Sequence, residues 1–100
     1  MRKIVAPILF LWLSSCAPLP PYEEYTLARA AVRAAQDVDS PRFATGLWTK
    51  ADESYRSAEK AYKDESYAKA RALFKTSQEF AEHAENVTRL KKFQTGDSFP

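Results

Sequence analysis

One side chain in this sequence stands out as a reactive group, the thiol of Cys16, which is the only cysteine among 100 residues. Leu13-Ser14-Ser15 precede it, and ahead of them lie Arg2, Lys3 and an apolar run from Ile4 to Leu13 interrupted only by Pro7. Basic residues followed by about ten apolar ones are the layout of a secretory signal. So short a run does not cross a bilayer as a mature helix. Ser14 and Ser15 are small enough to let the chain enter a peptidase in extended form. Leu13 to Cys16 therefore read as a bacterial lipoprotein cleavage box, with the cut between Ser15 and Cys16 and a lipid on the Cys16 thiol. An ordinary signal cut would need an A-x-A-like site, and none is present. A buried N-terminal helix is disfavoured because Ala17-Pro18-Leu19-Pro20-Pro21 would stop it.

Other chemistry lacks its partners. His83 is the only histidine, and with Cys16 acylated there is no second nitrogen or sulfur ligand to complete a metal site. Glu79 lies four residues before it, which allows a weak exposed pair on one helical face. Ser54, Ser57, Ser66 and Ser77 have no nucleophile-elbow setting. Gly46 and Gly96 are the only glycines, so no phosphate-binding loop exists. Asn86-Val87-Thr88 matches a glycosylation pattern formally but falls inside a predicted helix. The expectation is a non-enzyme without metal or cofactor.

The formal charge of +2 belongs to the precursor. Once Arg2 and Lys3 leave with the signal, 13 of the 15 basic side chains remain against 13 acidic ones. A neutral chain with interleaved signs has no electrostatic footprint for nucleic acid. Removing residues 1–15 of the 100 leaves 85, enough for one small domain. A lone cysteine excludes an internal disulfide, so stability must come from packing.

The sequence divides into a signal peptide (1–15), the acylated Cys16 with a Pro-rich spacer (16–21), a helical domain (22–92) and a flexible tail (93–100). The spacer is expected to be stiff and short, which keeps the domain close to a membrane surface. Periodicity predicts three helices at about 22–38, 44–62 and 66–91. In the first, Tyr25, Ala28, Val32, Ala35 and Val38 share a face, and Glu23 and Glu24 suit the positive end of the macrodipole. Asp39-Ser40-Pro41 ends it. The second carries the stripe Trp48, Ala51, Tyr55, Ala58 and Tyr62, with charged residues between its members. Lys63 to Ser66 form a break suited to an antiparallel pair. The third carries Tyr67, Ala70, Phe74, Ser77, Ala81, Ala84 and Thr88, and beside that stripe Leu73, Phe80, Val87 and Leu90. So wide an apolar arc predicts that both other helices lie against it. Arg89, Lys91 and Lys92 close its C-terminus, where cations suit the dipole, and Gly96 marks the end of order.

Tyr25-x-x-Ala28, Tyr55-x-x-Ala58 and Tyr67-x-x-Ala70 echo one another. Alanine beside an aromatic ring lets helices approach closely while the ring fills the next gap. The second and third helices resemble one tetratricopeptide unit through Trp48, Ala58, Tyr67 and Ala70-x3-Phe74, although the repeat's closing proline is missing. One unit cannot make a solenoid, so the expected fold is all-α, a closed three-helix bundle with a tetratricopeptide-like antiparallel pair. Trp48, Tyr55 and Tyr62 are the candidate interaction surface; their competing role is core, which a domain this small needs its aromatics to build.

The segment from about residue 22 to 90 resembles a family of small helical bacterial lipoproteins that carry a domain of unknown function. The resemblance lies in Tyr25-Thr26-Leu27-Ala28-Arg29-Ala30, in Phe43-Ala44-Thr45-Gly46 and in Tyr67-Ala68-Lys69-Ala70-Arg71-Ala72-Leu73. That family commonly has Pro at the position of Thr45 and Gly at that of Glu65. Its domain stands alone or ahead of an outer-membrane-protein-A-like, peptidoglycan-binding domain, which implies an envelope location. Ala17 after the cysteine, in place of Asp, resembles the sorting pattern of lipoproteins released to the outer membrane. The expected function is a lipid-anchored, periplasm-facing structural or protein-interaction module of the outer membrane. The rival roles are a peptidoglycan- or ligand-binding module, and an assembly or pilot adaptor for an envelope machine.

Overall fold

A computed structural model describes residues 19–96. Cys16, Ser15 and the signal peptide lie outside the described residues, as do residues 97–100. The described chain is all helical: α1 (Tyr22–Asp37), α2 (Ser40–Phe43), α3 (Thr45–Lys63) and α4 (Tyr67–Thr95). Helices α1 and α4 run parallel, with α3 antiparallel between them in chain order. Ala28 of α1 meets Ala58, Ala61, Ala70 and Phe74 at one end, while Ala31 and Ala35 meet Ala51 and Ala81 further along.

α4 is the spine. Both α1 and α3 pack along it and touch each other little, as the breadth of its apolar arc predicts. Its buried residues are Ala70, Phe74, Ser77, Ala81, Ala84 and Thr88. Their alternating spacing of four and three keeps one narrow seam facing the partner helices. The offset stripe is less covered: Leu73, Phe80 and Val87 are half-buried, and Leu90 is exposed. Half of the seam is alanine, and the buried residues of α1 and α3 that face it are all alanine, so backbones come close. Ser77 uses that proximity, donating its hydroxyl to the Ala51 carbonyl at 2.7 Å in the buried α3–α4 contact.

Two turns use left-handed residues. α3 closes on Glu65, whose φ is 62°. The Glu65 amide donates to the Tyr62 carbonyl at 3.1 Å and the Ser66 amide to the Ala61 carbonyl at 2.8 Å. These two bonds form a Schellman closure, a setting that favours glycine because a Cβ crowds the backbone at positive φ. Asp39 plays the same part after α1, with φ 73°.

Two boundaries differ from the periodicity reading. The break at Asp39-Ser40-Pro41 holds a short helix, α2, because Pro41 sits in its first turn, where a missing N–H costs nothing. α4 continues past residue 92 to Thr95, so Phe93 to Thr95 are helix and not tail. No breaker occurs before Gly96, which stops the helix with φ 71°.

Candidate functional site

The helix termini at one end of the bundle bring together an aromatic cluster. Phe74, fully buried on α4, is its hub. Tyr25 of α1 meets it edge-on at 5.4 Å between ring centroids, and Tyr55 and Tyr62 of α3 do so at 5.7 and 6.5 Å. Tyr62 also contacts Tyr67 at 5.6 Å and Tyr22 at 6.4 Å. Edge-to-face pairs add about 0.5–1.5 kcal/mol each beyond the area they bury. The cluster therefore locks α1 and α3 onto α4.

Tyr55 and Tyr62 thus come together, but Trp48 does not join them. It packs in a second cluster with Val32 and Phe80, around Ala31, Ala35, Ala51 and Ala81. All three candidate residues are half-buried, and their rings support the core. The face that periodicity assigns to one surface is divided lengthwise between two clusters. Tyr22, the first residue of its helix, belongs to no repeat of the apolar spacing, yet it completes the cluster.

An open groove of about 270 Å³ lies over this end, lined by Tyr22, Tyr25, Glu59, Tyr62, Lys63 and Phe74. Burial pushes the Tyr55 phenol up to about 12, helped by the Tyr25 phenol and the Glu59 carboxylate and opposed by Arg29. Burial also raises Tyr62, with Tyr22 the next cause. Both phenols stay protonated at neutral pH, so they offer hydroxyls and ring faces but no phenolate base.

Arg71 of α4 ties down the segment that leads into α1. Its guanidinium donates to the Leu19 carbonyl at 3.1 Å and lies 3.5 Å from the Glu24 carboxylate. Pro21 is buried, and its carbonyl accepts the Tyr25 amide at 3.0 Å. The last part of the Pro-rich spacer, Leu19 to Pro21, is therefore docked onto the bundle.

At the opposite end, Lys91 donates to the Phe43 carbonyl at 2.6 Å and Lys92 lies 5.3 Å over the Phe43 ring. Arg89 pairs with Glu85 at 2.8 Å. All three cations have partners within the chain. His83 is exposed, and among the described residues no group of three or more His, Cys, Asp or Glu side chains could hold a metal. No helix among the described residues is long and apolar enough to cross a membrane.

A search of curated proteins and a search of solved structures both return no match. Comparison with family models does return one, for a domain of unknown function named DUF4398, over residues 23–95. That span begins at the second residue of α1 and ends with α4, so it takes in the whole three-helix unit just described, and the chain belongs to the DUF4398 family.

Proposed function

We propose that this protein is an outer-membrane lipoprotein, anchored through Cys16 and facing the periplasm, that serves as a non-catalytic structural or protein-interaction module of the bacterial cell envelope. The observation that carries this reading is Leu13-Ser14-Ser15-Cys16 behind a basic and apolar leader. The placement of the aromatic side chains supports the non-catalytic part: they are committed to holding three helices together, and their phenols are held neutral. Phase partition tests the anchor. The native protein should follow the detergent phase, and Cys16→Ala should move to the aqueous phase; co-partition of the two forms contradicts the reading. Crosslinking of the mature protein in its native membrane, followed by identification of the linked chains, tests the interaction role. Recovery of no specific envelope protein contradicts that part.

A second reading is favoured by the groove over Tyr22, Tyr25, Tyr62 and Phe74. Its ring faces and hydroxyls suit a glycan such as peptidoglycan, or another small ligand. Tyr62→Ala should then abolish sedimentation with purified peptidoglycan. If the native chain does not sediment, this second reading fails.

A further inference from the structure

We propose that the bundle end formed by Leu19, Tyr22, Tyr62 and Tyr67 is a lipid-contacting face, seated end-on in the uncharged interfacial zone of the membrane that holds Cys16; the proposal rests on the acylation of Cys16 described above. Reach confines this end of the bundle. Leu19 is fixed to α4 by Arg71 and Pro21 is buried, so Leu19 has a set place on the bundle. Only three residue steps separate Cys16 from Leu19, a span of at most about 11 Å when fully extended. An acyl anchor on Cys16 keeps its backbone at the level of the headgroups. The start of α1, the end of α3 and the start of α4 are then confined to that surface at high effective concentration. Phe93, near the far end of α4, lies about 39 Å beyond Tyr67 along the helix axis at 1.5 Å per residue.

The confined end is built for such a contact. Leu19 is 75% exposed and Tyr22 65% exposed, and Tyr62 and Tyr67 form the next edge-to-face pair behind Tyr22. Tyrosine favours the membrane interface, where its ring meets apolar surroundings and its hydroxyl stays wet. Charge does not drive the contact. Lys63 and Arg71 at this end are offset by Asp64, Glu65 and Glu24, and Arg71 already pairs with Glu24. The contact therefore runs through Leu19 and the tyrosine rings, with the exposed charges of Glu23 and of the Lys63–Ser66 turn staying among the hydrated headgroups, and it depends on the tether for its strength.

The far end provides an internal control, since Phe93 is exposed to a similar degree, 71%, on the same helix system. The full chain is produced in bacterial membranes as two variants, Tyr22→Cys and Phe93→Cys. Each is labelled with a nitroxide on its one free thiol and reconstituted in phosphatidylcholine vesicles, with the mass of the Cys16 peptide read on the same sample. The expected result is loss of collisions with an aqueous nickel chelate and gain of collisions with oxygen at position 22, with position 93 remaining fully water-accessible. If Cys16 carries lipid and position 22 is as water-accessible as position 93, the membrane face is overturned while the anchor stands. Equal shielding at both positions means that the bundle lies flat and overturns the end-on seat. A Cys16 peptide without lipid overturns the anchor and this proposal together.

Discussion

Ser40 and Thr88 place their hydroxyl oxygens 2.8 Å apart in the interior of the bundle, each with no exposed surface, although 48 residues separate them in sequence. The pair fastens the short helix α2 to the C-terminal half of α4. A buried hydroxyl that loses its partner costs about 1–3 kcal/mol, while removing both partners together is far less harmful. Ser40→Ala and Thr88→Val should each destabilise by about that amount, and the double variant by much less than the sum of the two. Denaturant unfolding of the four proteins measures the coupling. Additive losses would show that the two hydroxyls act independently.

Phe74 and Phe93 test the core with one residue type at two positions. Phe74 has no exposed surface, whereas Phe93 is 71% exposed. Phe74→Ala should cost about 3–5 kcal/mol, comparable to the whole stability of about 5 kcal/mol expected of a domain this size, and should leave it largely unfolded. Phe93→Ala should change stability by less than about 0.5 kcal/mol. Coincident denaturation midpoints would remove Phe74 from the core.

Glu65 occupies a left-handed backbone position at φ 62°. Glu65→Gly should stabilise the protein by about 1 kcal/mol, because glycine avoids the Cβ clash but is more flexible when unfolded. Glu65→Ala retains the Cβ and should leave the melting temperature nearly unchanged. Equal melting temperatures for the Gly and Ala variants would mean that the turn is not under backbone strain.

Much of this fold is legible in the sequence, and the limits have physical causes. The seam of α4 reads directly from Ala70 to Thr88, because a strict three-and-four spacing places those residues on one face whatever they pack against. The end of α4 is less legible: Lys91 and Lys92 suit a helix C-terminus and suggest an end near 91, while the helix runs on to Thr95 because nothing before Gly96 breaks it. The α2 helix was hidden because Pro41 signals a break, and the same proline also fits a helix's first turn. Periodicity assigns Trp48, Tyr55 and Tyr62 a common face but says nothing of position along the partner helix. Their division between two clusters follows from where Phe74 and Phe80 fall on α4. The Ser40–Thr88 contact depends on the α1–α2 turn, whose left-handed Asp39 has no glycine to announce it. For the site, spacing points to Tyr55 and Tyr62 but groups Trp48 with them wrongly; Tyr25, Tyr67 and Phe74 are legible only as members of their own helices' stripes, and Tyr22, a helix's first residue, has no repeat to join.

Alkaline pH should loosen the aromatic end of the bundle. The Tyr55 phenol rises from 10.0 to about 12 on folding, mainly through burial. A folded-state value above the unfolded one means that the unfolded chain releases its proton first. Stability is then unaffected below pH 10 and falls as pH rises from 10.0 toward about 12. Burial shifts Tyr62 in the same direction and adds to the fall. Tyr55→Phe should flatten part of this dependence in unfolding curves recorded across the alkaline range. An unchanged slope in that variant would show that Tyr55 is not the responsible group.

The identity of the first residue of the mature chain tests the anchor most directly. Mass spectrometry of the N-terminal peptide, from protein purified out of the native bacterial membrane, should show a chain that begins at Cys16 and carries lipid on that residue. A chain that begins at Met1, or at any other residue with an unmodified Cys16 thiol, would contradict the account.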